Sequence, residues 1–306
     1  MQSWILASFG NAIFSTLFSL STKYTELRID TNAYTSYLLL ITTFFAVTFN
    51  IFKHNSFIPN HFSILAGLAQ GITMIFLNES LDIVNNPGLS MGIFRSQAMI
   101  TAIASYFLFK SNFNKFTLFG IILIITGVFL TANLHIHHTK NNTIESFDIK
   151  NKYKWALYAG IAGLAISCKD IFTKYALSYT DMPLSTFLMS QLGFGSLLAF
   201  IYQYYKYKNL GIILKKNTEY ENDFKEKSYI YLVIASFIFI GYCALCAYAT
   251  KIAPNPGYPK AIDSFGIIFT VFLSKYLFKN SEISREQWAG VFSIVIGVFI
   301  ICFFGS

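Results

Sequence analysis

Charge is what this sequence has least of. Only 12% of its 306 residues are Asp, Glu, Lys or Arg, about half the share of an ordinary soluble domain, roughly 25%. So little charge cannot cover the surface of a 34.7 kDa globule, which leaves a soluble fold close to excluded. Cysteine is scarce as well. The four thiols give no disulfide framework, and Cys243-x-x-Cys246 lacks the second pair a zinc site needs. All four read as buried thiols. No nucleophile elbow, phosphate loop or paired metal-binding helix motif occurs, so neither an enzyme nor a resident cofactor or metal is expected. His135, His137 and His138 sit together in a polar stretch, where a solvated cluster is the ordinary case. The net charge of +8 meets no nucleic-acid-binding module, and anionic lipid headgroups are its expected partner.

Apolar length is what the sequence has instead: 54% of residues are hydrophobic and mean hydropathy is +0.50. A spanning helix needs about 20 mostly apolar residues. Ten such stretches stand out, at 3–23, 33–52, 62–82, 88–109, 115–134, 154–175, 183–205, 228–250, 257–278 and 286–304. The first has no basic leader and no clear small-residue cleavage site, so it reads as a mature span. The two long polar interruptions are His135–Tyr153 and Lys206–Ser228.

An internal repeat divides the chain. Trp4 and Thr22-Lys23-Tyr24 recur as Trp155 and Thr173-Lys174-Tyr175 at a constant offset of 151. Asn86-Pro87-Gly88 recurs as Asn255-Pro256-Gly257, and Gly120 with Gly127 recurs as Gly290 with Gly297 at offset 170. Five spans per unit is odd, so the second unit enters the membrane from the opposite side, as in inverted-repeat transporters. In Asn-Pro-Gly the Asn caps a helix start and Pro suits its first turn; this is either a well-terminated loop or a sharp helix start beside a solute path. The paired glycines, two turns apart, read as helix packing only.

Two five-helix units, each with Asn-Pro-Gly opening its fourth helix and Gly-x6-Gly in its fifth, resemble the drug/metabolite transporter superfamily, and each half resembles an EamA-type domain. The resemblance implies an all-α integral membrane protein with ten transmembrane helices in two inverted five-helix repeats. These are 1–134 and 154–306, joined by a polar linker, 135–153. It also implies a solute cavity between the halves, lined by helices one, three, four, six, eight and nine. The small multidrug branch of that superfamily carries an acid in its first helix, and residues 3–23 contain none, which argues against proton-coupled drug export of that type.

Charges at bilayer depth are costly and face a cavity or a partner. The candidates are Arg95 in helix four, Lys169 and Asp170 in helix six, and Lys260 and Asp263 in helix nine. At ~1.5 Å per residue, Arg95 lies about 12 Å in from Pro87 and Asp263 roughly 10 Å in from Pro256, from the opposite face. The repeat sets Arg95 opposite Ser264, next to Asp263. Two readings stand: the charges neutralise one another and lock the helices, or Arg95 and Lys260 hold an anionic group while Asp263 or Asp170 meets a cationic one. Asp170 and Lys174 form an i, i+4 pair, Lys169 can snorkel along its own stem, and helix six ranks below four and nine. Gln70, Gln97, Gln191 and Tyr258 are further polar candidates, each of which could equally make an interhelical hydrogen bond.

These observations point to a secondary transporter of small polar organic metabolites, amino-acid-like or otherwise charged, working by alternating access. A sensor or scaffold that retained the fold is the other reading. The solute and the lipid bilayer are the expected partners; nothing fixes an oligomeric state, and a monomer is consistent with the sequence. With ten spans both termini share one side, here side A, with the loops after helices two, four, six and eight. Fifteen Lys and Arg fall on the opposite side, B, against five on side A, which taken alone puts side B in the cytoplasm. The two long loops supply most of that excess, and the family resemblance puts the termini in the cytoplasm, the orientation favoured here.

Overall fold

The structure is a computed structural model describing residues 2–26, 29–83, 90, 93–111, 114–132, 154–213, 225–269, 273 and 285–305. The first Asn-Pro-Gly, the loop histidines and the linker lie outside the described residues. The helices are α1 (Ser3–Glu26), α2 (Thr31–Phe52), α3 (His61–Ile83), α4 (Gln97–Phe109), α5 (Lys115–Ala132), α6 (Lys154–Lys174), α7 (Leu184–Tyr207), α8 (Lys225–Ile252), α9 (Gly257–Asp263) and α10 (Arg285–Phe304). A helical turn at 93–95 precedes α4, and α6 widens into a π-helical turn at Tyr175–Tyr179. No β-strand occurs among the described residues.

Six segments of 20 to 26 residues are long and apolar enough to cross a bilayer, within α1, α2, α3, α6, α7 and α8. Ile93–Phe109, Lys115–Leu130 and Trp288–Phe304 are shorter apolar helices. Their outer faces carry Phe44, Phe107, Phe237 and Phe303, each at least 65% exposed. An aromatic surface of this extent is tolerated in lipid and not in water. The helix starts are set locally. The Asp30 carboxylate accepts from the Asn32 and Ala33 N–H groups to open α2, and the Asn60 side chain accepts from Ser63 N–H (2.8 Å) to open α3.

Contacts sort to two ends of the bundle. At side A, Trp4 packs on Tyr258 with ring centroids 6.3 Å apart, Asn60 donates to Thr180 (2.7 Å), and the Lys174 ammonium donates to the Lys251 carbonyl (2.6 Å). At side B, Tyr207 donates to Asp30 (3.0 Å), Ser80 donates to the Trp155 carbonyl (2.8 Å), and Lys206 pairs with Glu79. Successive helices therefore run in alternate directions between the two ends.

The packing has a pseudo-two-fold pattern. α1 packs on α8 as α3 packs on α6; α1 meets α9 as α4 meets α6; α2 meets α8 as α3 meets α7; and α2–α7, α4–α9 and α5–α10 each pair a helix with its own counterpart. The α5–α10 crossing shows why the repeat keeps its glycines. A Cβ on Gly127 would stand 2.5 Å from the Gly290 carbonyl oxygen, and one on Gly297 would stand 2.5 Å from that of Gly120. Backbones this close leave no room for a side chain, and in lipid such contact is what holds helices together. Residue 120 meets 297 while 127 meets 290, so α5 and α10 are antiparallel. Asn50 near the end of α2 meets Ser185 and Thr186 at the start of α7, so that pair is antiparallel too.

The described core has two large apolar clusters and a small third one in which Phe94 packs on Ala162 and Ile166 of α6. One of the large two joins α2, α3, α7 and α8 through residues such as Tyr34, Leu38, Phe187 and Phe239. The other joins α1, α4, α5, α9 and α10 through residues such as Ala98, Ile121, Ile262 and Ile294. The buried ions lie on α6, on α9 and on the turn before α4.

Candidate functional site

Arg95 occupies the short helical turn before α4, and Asp263 is the last residue of α9. Both elements tighten at this point. The N–H groups of Ser96 and Met99 bond to Ile93 and Ser96 carbonyls, and those of Ser264, Phe265, Ile267 and Ile268 likewise reach back three residues. Three-residue closure is a 3₁₀ geometry that interrupts an α-helix. The two interruptions sit at equivalent positions of the repeat, since the Asn-Pro-Gly motifs are 169 residues apart and so are Arg95 and Ser264. Gly266 lies within the second interruption, where a Cβ would stand 2.6 Å from the Ala12 carbonyl oxygen. Gly257 starts α9 with no Cβ because one would lie 2.5 Å from Ala102 Cβ, and Asn255 fixes that approach by donating to the Ala102 carbonyl (3.1 Å) and to Ser111 Oγ (3.0 Å).

Five ions meet between the broken helices and α6. Arg95 Nη1 pairs with Asp263 Oδ2, and Arg95 Nη2 donates to Ser15 Oγ of α1 (2.8 Å). Asp170 Oδ1 lies 2.9 Å from Lys169 Nζ and 3.3 Å from Lys260 Nζ. Lys260 also donates to the Cys246 sulfur of α8 at 2.9 Å, and Lys169 approaches the same sulfur at 3.6 Å. Every one of these ions is at most 4% exposed. Three cations face two carboxylates, a net single positive charge within the cluster. The hydrogen-bonding capacity is also incomplete: Arg95 Nε, Asp263 Oδ1 and Asp170 Oδ2 have no hydrogen-bond partner among the described residues. In a low-dielectric interior such groups are costly to leave unmet.

The EamA-like transporter family matches residues 2–133 and 153–303. The chain belongs to this family. Its members are membrane transporters of small solutes, and the apolar helices place this EamA-like protein in a membrane as a multi-pass chain. One solved structure, described only as the crystal structure of a protein, superposes at a TM-score of 0.75 over 99% of both chains with 10% identity. That likeness speaks for the fold alone. No curated protein matches the sequence.

Of the residues singled out in this EamA-like sequence, Arg95, Lys169, Asp170, Lys260 and Asp263 come together, while Gln70 and Tyr258 do not join them. Gln70 accepts from Gln191 across α3 and α7 (3.2 Å). Tyr258 hydrogen-bonds Thr117 (3.1 Å) beside Trp4 at side A. Gln97 is fully buried, and its amide has no partner among the described residues. Three expectations need correcting. Lys174 does not pair with Asp170; its ammonium caps the Lys251 and Ala253 carbonyls, closing the end of α8. Lys169 does not snorkel, because Asp170 beside it supplies a counterion within the core, and this gives α6 a place equal to α4 and α9. Cys168 is exposed on an outward face of α6, and Cys302 is only half buried.

Two contributors escaped the sequence reading. Ser15 gave no signal among the many hydroxyls of α1. Cys246 read as an apolar thiol, although it lies fourteen residues before Lys260, across the α8–α9 turn. An apolar groove of about 680 Å³ between α1, α10 and the segment after α9, lined by Ile5, Phe9, Phe265 and Phe303 among others, contains none of the ions.

Proposed function

We propose that this protein is a secondary transporter of small charged organic solutes, with ten spans in two inverted halves, 1–134 and 154–306, that alternate access around the ion cluster. The observation that carries the reading is the cluster itself: five buried ions astride two helices interrupted at equivalent repeat positions. Discontinuous helices near the bilayer midplane, at a repeat interface, are where many secondary transporters bind their solutes. A scaffold would gain nothing from keeping three cations and two carboxylates at such cost.

The chemistry follows from the pairing. In the closed state the ions satisfy one another, with Arg95 on Asp263 and both lysines on Asp170. A solute carboxylate or phosphate would take Arg95 and Lys260 as partners, helped by the excess positive charge. A solute ammonium would take the released Asp263 or Asp170. Because the solute replaces internal pairs, it binds the open and closed states differently, which any ligand must do to shift a conformational equilibrium. Mixed-charge metabolites, amino acids among them, fit this site better than apolar drugs.

The test is a thermal-shift screen of the purified protein against amino acids, organic acids and phosphorylated metabolites. A true solute at about 100 times its Kd stabilises the folded state by roughly 2.7 kcal/mol. The shift should vanish in the double variant Arg95→Met, Asp263→Leu. Shifts only with apolar drugs, or an equal shift in the double variant, would contradict the reading.

A further inference from the structure

Gln97, Thr101 and Ser105 follow one another at four-residue steps on α4, so they form one stripe along a single face of the helix. All three are fully buried, and neither Gln97 amide atom nor either hydroxyl has a partner among the described residues. Ser36 of α2 and Thr250 of α8 are also unpartnered among the described residues, but α4 sets three such side chains in one row at four-residue steps. Many buried mid-helix hydroxyls, such as those of Ser8, Thr16, Thr35, Thr73, Ser190 and Ser236, return to the carbonyl four residues back. Thr101 and Ser105 do not. The stripe starts two residues beyond Arg95, and Ser105 lies ten residues beyond it, about 15 Å along the helix. That is about half the thickness of a bilayer's apolar core.

Two further observations give the stripe a direction and a stopper. α6 runs parallel to α4 along it. Ser167 Oγ reaches the Gln97 carbonyl at 3.4 Å, and the Tyr175 ring lies tilted against Phe109 at 4.8 Å between centroids. Asp170, one turn beyond Ser167, therefore stands near the level of Thr101, with its Oδ2 unpartnered. The next position on the same α4 face is Phe109, and there the polar series ends. Phe109 meets Tyr175 and Tyr179 of the π-helical turn, and Tyr175 stacks on Phe62 of α3 at 4.9 Å. Thr101 and Ser105 also recur in the sequence as Thr270 and Ser274, at the same offset of 169.

We infer that Gln97, Thr101 and Ser105 are the polar wall of the solute's half-route between the ion cluster and side A, closed in this conformation by the Phe109–Tyr175–Tyr179 aromatic plug. The inference rests on the transport reading for its purpose, but it is tested without transport. The probe is 2-sulfonatoethyl methanethiosulfonate, a small impermeant organic anion that reacts with thiols. It is applied to sealed vesicles carrying Ser105→Cys, with labelling read by peptide mass against the native-cysteine background. Lys53→Cys, at an exposed position at the end of α2, serves as the side A reference.

Ser105→Cys should label from the same side as the reference, and Phe109→Ala should raise its rate by about tenfold or more, as expected when the open population rises. Ile103→Cys, on an outward-facing position of α4, should stay unlabelled in both backgrounds. No labelling of folded Ser105→Cys in either background, or labelling only from the opposite side, overturns the half-route. The double variant Thr101→Val, Ser105→Ala gives a second readout. Hydroxyls with no partner among the described residues add nothing to the fold that those residues make, so its melting temperature should equal or exceed that of the native chain; a clear fall assigns them a structural role and overturns the inference. A protein that labels as expected but moves no solute contradicts the transport reading alone.

Discussion

Removing either member of the Arg95–Asp263 pair should destabilise the protein, but not equally. Breaking a buried ion pair by deleting one partner costs about 3–5 kcal/mol, because the other charge stays buried and uncompensated. The rest of the cluster decides which deletion is worse. Arg95→Met leaves Lys169 and Lys260 against Asp170 and Asp263, a balanced set. Asp263→Leu leaves three cations against Asp170 alone. Asp263→Leu should therefore lie at or above the upper end of that range and Arg95→Met at or below the lower. The double variant removes both charges and Ser15's partner, and replacing a buried pair by apolar residues is often neutral or stabilising by roughly 1–4 kcal/mol. A double-mutant cycle by thermal unfolding in one detergent reads all three values, and the coupling between the sites should be large and favourable. Equal losses for the two single variants, or additive losses in the double, would refute the charge accounting on which this site is built.

Other expected outcomes follow from named contacts. Asp170→Asn strips the shared counterion from Lys169 and Lys260, so thermal unfolding should show a greater loss than for Lys169→Met, which leaves Asp170 paired with Lys260. Gly127→Ala drives a Cβ into the Gly290 carbonyl and should cost about 1–3 kcal/mol or prevent folding, whereas Gly160→Ala, with open space around it, should be neutral or stabilise by up to about 1 kcal/mol; folded yield and melting temperature check both. With cytoplasmic termini, the Asn141-Asn142-Thr143 sequon is lumenal in a eukaryotic host and carries a glycan, seen as a mass shift abolished by Asn141→Gln. Labelling of a Ser306→Cys variant by an impermeant thiol reagent on intact cells would reverse that orientation.

Much of the architecture is legible in the sequence because lipid imposes long apolar runs and close glycine contacts. The Gly120/Gly127 and Gly290/Gly297 pairs announce the α5–α10 crossing, since a seven-residue spacing keeps both on one helix face. The meeting of Arg95 with Asp263 is foreshadowed by the repeat, which sets Arg95 opposite Ser264, next to Asp263. What spacing cannot supply is the partner across helices. Lys260 and Asp263 are three apart on α9 and read as neighbours, yet Lys260 turns to Asp170 on α6 while Asp263 turns to Arg95 in the turn before α4. The helix interruption at Ser96 is equally silent, because serine does not break a helix by its own propensity, whereas the one at Ser264 has Gly266 within it. Cys246 joins the cluster only because the α8–α9 turn brings it beside Lys260.

The central claim, that a charged solute crosses by way of the Arg95–Asp263–Lys260–Asp170 cluster, is tested most directly by counterflow in proteoliposomes. Vesicles preloaded with each ligand found by thermal shift should accumulate the same radiolabelled compound transiently. The Arg95→Met, Asp263→Leu double variant, folded and inserted to the same level, should give no accumulation above protein-free vesicles. Native-level counterflow in that variant would contradict the account.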